Sequence, residues 1–193
     1  MHDLVLGSTS PYRRELLARL RVPFDVLAPD VDEEALQRSG AEPSSIALRL
    51  AVAKAASVAA KRSDAFVIGS DQVVDLDSEI LGKPGDEARA REQLARLQGR
   101  THRLVTAIAL RAPDGTIRTH VDVHRMTLRA LGAAEIERYV AAERPLDCCG
   151  AYKIESLGIA LFERIEGDDF TAIPGLPLIA LGRLLRESGF EVP

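Results

Sequence analysis

Short apolar runs that end in small polar residues and lead into helical patterns constrain the fold of this chain most strongly. Residues 4–6 form such a run, Gly7-Ser8-Thr9-Ser10 follows, and Pro11 stands where a helix should begin, with Ser10 as its N-cap. A second apolar run at residues 65–69 continues into Ser70-Asp71-Gln72-Val73-Val74. This alternation of strands and helices predicts an α/β fold.

Glycine, proline and capping residues elsewhere in the sequence, together with the spacing of apolar residues, predict further elements. Strands are expected at residues 24–27 and 158–165, and helices at 43–62 (with Ser44 or Ser45 near its start), 135–142 and 176–187. Ala90, Leu94 and Leu97 recur with helical spacing. A Pro-Asp-Gly sequence at residues 113–115 predicts a β-hairpin between the segments on either side of it. Because hairpins accompany the strand–helix alternation, the sheet is predicted to be mixed.

Composition limits the class of protein. The chain has 193 residues with 25 basic and 29 acidic side chains, a formal net charge of −4, which argues against a protein that coats nucleic acid. We expect residues 1–193 to form a single domain. No apolar run of about 18 residues predicts a membrane span, and Met1-His2-Asp3 does not resemble the start of a secretory signal. Cys148 and Cys149 are adjacent, which argues against a disulfide framework, so a cytoplasmic protein is expected.

The loop after the first strand has two open interpretations. Its hydroxyl groups precede a helix N-terminus, where free N–H groups favour an anion, and Arg13 and Arg14 stand in the first turn, where the helix dipole disfavours them. Either the arginines meet an anionic ligand, or the helix is simply capped and its arginines are solvated. A Walker-type phosphate loop is excluded, because the sequence lacks that motif.

Asp71 is the strongest candidate for chemistry. It interrupts an apolar strand, where aspartate is disfavoured and a buried carboxylate needs a hydrogen bond, a charge partner or a metal. A turn-forming aspartate is the alternative, and we favour a functional role.

Several other polar residues have ordinary explanations when taken singly. Lys54 lies on an otherwise apolar helix, Lys83 lies in a Gly-Lys-Pro-Gly loop, and Glu33 belongs to an acidic run. Residues 166–169 hold three acids, which suit either Mg²⁺ or a ligand-free acidic turn. His120, Asp122 and His124 are expected on the solvent-facing side of a strand, and neither they nor the cysteines predict a zinc site.

Four motifs in order resemble the Maf family of nucleoside triphosphate pyrophosphatases, and the resemblance covers essentially the whole chain. The motifs lie at residues 8–17, 69–74, 81–84 and 175–178. The resemblance implies a two-lobed α/β fold with a mixed central β-sheet flanked by helices, as in inosine triphosphate pyrophosphatases, and a nucleotide cleft between the lobes. It also implies hydrolysis of the α–β phosphate bond, giving a nucleoside monophosphate and pyrophosphate. A homodimer is expected on the same basis.

The resemblance also implies roles for individual residues. Asp71 resembles the general base, which activates water directly or through a divalent metal cation, Mg²⁺ or Mn²⁺. Glu33 resembles a carboxylate that holds this metal together with Asp71. The predicted phosphate-binding residues are Ser8, Arg13, Lys54 and Lys83.

Three positions indicate the branch of the family that resembles 7-methyl-GTP pyrophosphatase. They are Tyr12, Gln72 and Glu155, where the branch that prefers UTP or dTTP has arginine, threonine and glutamine. N7 methylation makes the guanine ring cationic, so Glu155 could accept from N1–H and the amine together while Tyr12 stacks on the ring. Glu155 could instead pair with Lys153 or Arg164. The alternative functions are a pyrophosphatase for UTP, dTTP or other modified nucleotides, and a nucleotide-binding regulator of cell division.

Overall fold

The computed structural model describes residues 3–37 and 41–193, so Met1 and His2 lie outside it. The strands are β1 (Leu4–Gly7), β2 (Asp25–Val26), β3 (Phe66–Leu76), β4 (Glu79–Leu81), β5 (Thr101–Arg111), β6 (Ile117–Leu128) and β7 (Phe162–Glu166). The helices are α1 (Pro11–Ala18), α2 (Glu33–Gln37), α3 (Pro43–Ala59), α4 (Glu87–Leu97), α5 (Ala133–Glu143) and α6 (Leu178–Glu187). None of these helices is long and apolar enough to cross a membrane.

The strands form a seven-stranded sheet in the order β2-β1-β3-β5-β6-β7, with β4 paired to β3 outside this path. β1 is parallel to β2 and to β3, whereas β4 runs antiparallel to β3 and β7 antiparallel to β6. The predicted α/β fold with a mixed sheet is therefore confirmed.

Two compact units make up the described chain. The first unit contains the described residues up to Gln72, together with Thr106–Asp122 and Asp169–Pro193. The second unit contains Val73–Val105 and Val123–Asp168. The single-domain organisation and the cleft between lobes stay predictions.

The first unit has helices on both faces of its parallel strands. Side chains alternate along a strand, so Leu6 of β1 and Ile68 of β3, which are paired in register, share one face. They belong to an apolar cluster with Leu16 and Leu17 of α1 and Leu181 of α6. α1 and α6 therefore cover this face.

Two paired glycines bring α3 close to the opposite face. Gly7 of β1 lies beside Gly69 of β3. A Cβ atom on Gly69 would lie 2.0 Å from the carbonyl oxygen of Ala51, and one on Gly7 would lie 3.2 Å from a methyl group of Val58. Both neighbours belong to α3. The helix backbone can approach the strands this closely only because both positions lack a side chain.

Two predicted element boundaries are wrong. Residues 158–165 do not form one strand, because residues 157–161 turn as a 3₁₀ helix and β7 begins only at Phe162. In that turn a Cβ on Gly158 would meet the backbone of Lys153 at 2.3 Å, so this glycine serves a close approach rather than a strand. α3 ends at Ala59, not Arg62, and its N-cap is Glu42, which accepts a hydrogen bond from the Ser45 N–H.

The predicted solvent exposure of the polar side of β6 is also wrong. Asp122 is 8% exposed and His124 is 2% exposed, whereas Val123 between them is 40% exposed. Side chains alternate between the two faces of a strand, so Asp122 and His124 lie on the same face as Met126 and Leu128. Because Met126 and Leu128 are buried in the core, this face of β6 points inward.

A buried histidine gives the second unit a pH-dependent stability. His102 Nε2 lies 2.9 Å from the hydroxyl of Tyr152, and burial lowers the pKa of His102 from 6.5 to about 4. Between these values the unfolded chain binds a proton that the native protein does not. The free energy of unfolding therefore falls as pH drops from 6.5 to 4.

We expect His102→Gln to remove much of this pH dependence, because glutamine can keep the hydrogen bond to Tyr152 without titrating. The pKa difference corresponds to about 3 kcal/mol of stability lost by the wild type between pH 6.5 and 4. Urea denaturation at pH 7 and pH 4.5 measures it. An unchanged pH dependence in the variant would show that His102 is not the responsible group.

Candidate functional site

The candidate site lies where β1 ends beside an interior position of β3. The chain leaves β1 into α1 on one face of the sheet and enters β3 from α3 on the other face. The loop at the carboxyl end of β1 therefore lies next to β3, and loops at the carboxyl ends of parallel strands are the usual ligand sites of open α/β sheets. Ser8 follows β1, and Asp71 lies on β3 two residues beyond Gly69, the partner of Gly7.

Asp71, Lys54 and Glu33 form a cluster of charges in the first unit. Lys54 Nζ lies 2.6 Å from Asp71 Oδ1 and 2.7 Å from Glu33 Oε1. Asp71 and Lys54 are each 5% exposed, whereas Glu33 is exposed. Asp71 shares the α3 face of β3 with Gly69, so the close approach of α3 lets Lys54 reach it. The prediction that Asp71 is a partnered, buried carboxylate is confirmed.

The environment of Asp71 suits a general base. Burial raises the pKa of its carboxyl group above the ordinary value, and the positive charges of Lys54 and Arg13 act in the opposite direction. Oδ1 is bound to Lys54, while Oδ2 is buried with no hydrogen-bond partner in the described part of the chain. Oδ2 is therefore the oxygen to which a proton or a cation can bind.

The loop after β1 has the predicted capping geometry. Ser10 is the N-cap of α1 and accepts a hydrogen bond from the Arg13 N–H. Ser8 Oγ accepts from the Ser10 N–H at 3.2 Å and from Arg13 Nη1 at 3.4 Å. The half-buried Arg13 side chain therefore lies folded against the loop, and the structure brings Ser8 and Arg13 together, whereas Arg14 is exposed.

Backbone carbonyls from residues 172–175 bind several polar side chains of the site. Gly175 O accepts from Arg13 Nε at 3.0 Å and from Ser70 Oγ at 2.9 Å. Gln72 Nε2 donates to the carbonyls of Ala172 and Ile173, each at 2.9 Å, and it lies 2.8 Å from Thr106 Oγ1. Sequence analysis assigned no role to Ser70, Thr106 or these carbonyls. The one sequence feature that pointed to this segment is Gly175, which begins the Gly-Leu-Pro-Leu motif and adopts a φ of +115°.

The other predicted site residues are not part of this cluster. Tyr12 is half-buried on α1. Lys83 and Glu155 belong to the second unit, where both are exposed, Lys83 between β4 and α4 and Glu155 in the turn before the 3₁₀ helix. Their predicted contacts with the nucleotide stay predictions.

Two acids of the segment at residues 166–169 have protein partners. Glu166 pairs with Arg164 at 2.7 Å, and Asp169 accepts backbone and hydroxyl hydrogen bonds. Residues 3–37 and 41–193 hold no cluster of three or more His, Cys, Asp or Glu side chains able to bind a metal. Neither Cys148 nor Cys149 forms a disulfide in the described chain, in agreement with the argument against a disulfide framework.

A divalent cation fits the carboxylates that the sequence analysis assigned to it. Asp71 Oδ2 is a buried acceptor without a partner among the described residues, and Glu33 contacts the same Lys54 ammonium as Asp71 Oδ1. Carboxylate oxygens are the ligands that Mg²⁺ and Mn²⁺ prefer. The donor set is therefore compatible with one cation held by Asp71 and Glu33.

Comparison with known proteins gives close relatives over the full length. A protein of Xanthomonas axonopodis pv. citri named 7-methyl-GTP pyrophosphatase is 54% identical over 193 residues, which cover 100% of both chains. One of the same name from Albidiferax ferrireducens is 50% identical over 190 residues, covering 98% of this chain and 94% of its own. A solved dITP/XTP pyrophosphatase from Mycobacterium abscessus is 18% identical, with a TM-score of 0.46 over 65% of this chain and 74% of that one.

A family model confirms the resemblance inferred from the four motifs. The model described as Maf-like protein matches residues 3–188 and so includes β1, the β1–α1 loop, α3 and β3, which build the site. With full-length relatives at 50–54% identity, the assignment does not depend on any single motif. This chain belongs to the Maf family.

Proposed function

We propose that this protein is a nucleoside triphosphate pyrophosphatase that hydrolyses 7-methyl-GTP to 7-methyl-GMP and pyrophosphate. The observation that carries the proposal is the buried Asp71 carboxylate, which is paired with Lys54 and whose second oxygen has no partner in residues 3–37 and 41–193. The names of the full-length relatives support the same substrate. We also propose a cytoplasmic location, because the nucleotide pool that the enzyme would clear lies there.

In the proposed reaction, Asp71 accepts a proton from the water that attacks the α-phosphorus. The bond from the α-phosphorus to the bridging oxygen breaks, and pyrophosphate leaves with the bonding electron pair. Arg13 and Lys54 stabilise the negative charge that grows on the phosphate oxygens. Two carboxylates face the Lys54 ammonium, which has three N–H groups, so the third can donate to a phosphate oxygen.

Glu33 and Asp71 would hold the divalent cation. When bound, the cation would neutralise phosphate charge and lower the pKa of nearby water. Lys54 supplies one positive charge to the two ionised carboxylates, so the cluster keeps a net charge of about −1 that a cation would offset.

We propose Glu155 as the residue that selects the methylated base. A carboxylate can accept from N1–H and the exocyclic amine of a cationic guanine in a charge-assisted pair, which glutamine cannot reproduce. Tyr12 is proposed to stack on the same ring and Lys83 to contact phosphate, and these roles rest on the family resemblance.

We expect Glu155→Gln to lower kcat/KM for 7-methyl-GTP about 10-fold or more and to change the values for UTP and dTTP little. The change removes a charge without altering the size of the side chain. Glu163→Gln, at another exposed glutamate of the second unit, is the matched control and should leave all values unchanged. An equal loss for every nucleotide would make Glu155 structural.

Pyrophosphate release from a panel of nucleotides with Mg²⁺ or Mn²⁺ tests the proposed function. We expect 7-methyl-GTP to give the highest kcat/KM and EDTA to abolish turnover. If UTP or dTTP is preferred, the reaction is retained and the proposed substrate is wrong. If a triphosphate binds tightly and none is hydrolysed, the protein is a nucleotide-binding regulator.

A further inference from the structure

We propose that Asp169 is a positioning residue for the reaction, and that it acts through residues 169–175, here called the clasp segment. The inference rests on the proposed function and extends it to a residue that does not touch substrate. The clasp segment lies within the first unit, as do the Arg13, Ser70 and Gln72 side chains that it binds.

The clasp segment binds β3 on both sides of the proposed base. Ser70 and Gln72 flank Asp71 and point to the opposite face of β3. Ser70 donates to the carbonyl of Gly175, and Gln72 donates to those of Ala172 and Ile173. Lys54 holds Asp71 from the α3 side, so the backbone at this point is fixed from both faces.

The same segment sets the orientation of Arg13. Arg13 Nε donates to Gly175 O, and a Cβ atom on Gly175 would lie 3.1 Å from this nitrogen. A guanidinium has a planar array of donors, so fixing Nε fixes the direction of its other N–H groups. The position of the Gly175 carbonyl therefore determines where Arg13 presents positive charge.

Asp169 holds the clasp segment to the start of α6. Its Oδ1 accepts from the N–H and the hydroxyl of Thr171, and its Oδ2 accepts from the Ile179 N–H at 2.7 Å. Thr171 Oγ1 in turn accepts from the Leu178 N–H at 2.8 Å. The N-cap residue of α6, Pro177, provides no side-chain cap, so Asp169 and Thr171 supply it. Asp169 is 3% exposed.

This arrangement changes the interpretation of Gln72. The resemblance to the family implies that Gln72 determines substrate specificity, but its Nε2 lies within hydrogen-bond distance of three protein acceptors. An amide nitrogen has two N–H groups, so this nitrogen is committed to the protein. We infer that Gln72 influences substrate choice by placing the clasp segment, and Asp169 supports that placement from the other end.

Kinetics of Asp169→Ala and Asp169→Asn test the proposal. We expect Asp169→Ala to lower kcat/KM for 7-methyl-GTP up to about 100-fold and to reduce the preference for it over UTP, because the positions of both Arg13 and Gln72 relax. Asparagine keeps one acceptor oxygen and should restore part of the loss. If either variant fails to fold, Thr171→Val, which removes the Leu178 acceptor, replaces it.

Asp86→Ala is the matched control, because Asp86 caps α4 in the second unit, whereas the clasp segment belongs to the first. Both alanine variants should lower Tm, the control by about 2–4 °C, but only Asp169→Ala should alter the ratio of kcat/KM values between nucleotides. An unchanged ratio in Asp169→Ala would overturn the proposal.

A double-mutant cycle with Gln72→Ala locates the effect. If Asp169 acts through Gln72, the loss caused by Asp169→Ala shrinks when Gln72→Ala is already present, whereas additive losses contradict the proposal. Calorimetric affinity for inorganic pyrophosphate tests the Arg13 contact without turnover. If Asp169→Ala weakens the affinity for pyrophosphate about 10-fold, the proposed effect on Arg13 is supported, and an equal affinity overturns it. This measurement does not need turnover, so it is valid even if the protein hydrolyses no nucleotide of the panel.

Discussion

Asp71→Asn is expected to lower kcat for 7-methyl-GTP by about 10³-fold while the nucleotide still binds. Asparagine fills the same volume and can accept a hydrogen bond from Lys54 through its amide oxygen. It cannot accept a proton from water near neutral pH, and the buried Oδ2 position loses its basic oxygen. Steady-state assays of pyrophosphate release measure the loss of kcat, and calorimetric titration with the nucleotide measures binding separately.

Asp75→Asn is the matched control for this variant. Asp75 is also a buried carboxylate on β3, and it accepts hydrogen bonds from the Ser78 N–H and from Arg103. Its replacement removes a charge from the same strand and should affect stability more than kcat. Turnover retained in Asp71→Asn, or lost equally in both variants, would remove Asp71 from the role of base.

Lys54→Met is expected to have the second largest effect, a loss of about 10²-fold in kcat. The methionine keeps the length and the apolar contacts of the lysine stem, but the positive charge between Asp71 and Glu33 is gone. The phosphate oxygens lose one cationic donor at the same time. Lys61→Met, at an exposed lysine just beyond α3, provides the control and should retain wild-type kcat.

The pH profile of Lys54→Met gives an independent measure of the same contact. A general base must be deprotonated, so the rate falls as the pH drops through the pKa of Asp71. Burial raises this pKa and the Lys54 charge opposes that rise, so removing the charge raises the pKa further. The acidic limb of the profile should move to higher pH in the variant. An unmoved limb would mean that the rate does not report ionisation of Asp71.

Local signals predicted those elements whose cause is local. Ser10 and Pro11 fixed the start of α1 in the prediction, and the spacing of Ala90, Leu94 and Leu97 gave α4, whose buried face they form. The orientation of β6 was not predictable in this way. The polar residues Asp122 and His124 lie on the inward face because Met126 and Leu128 further along the strand are in the core. An alternating pattern does not say which of its two faces is buried.

The site was predictable in its residues and not in their connections. The motifs included Asp71 and Arg13, and the family resemblance implied Lys54. The Lys54–Asp71 pair, however, joins residues 17 apart whose distance depends on how closely α3 packs on the sheet. The clasp segment contributes mainly backbone carbonyls, which every residue has, so no side-chain type marks it in a sequence. Asp169 was visible only as part of an acidic run, and its true partners are the N–H groups that begin α6.

The packing of α3 on Gly7 and Gly69 also limits how this enzyme can be engineered. Replacing strand glycines with alanine or valine is a common route to a more heat-resistant protein, since it restricts the unfolded chain. At position 69 the added methyl group would collide with the Ala51 carbonyl and lift the helix that carries Lys54. Alanine at this position is therefore expected to lower both Tm and turnover, because the same displacement of α3 loses packing against β3 and moves Lys54 away from Asp71.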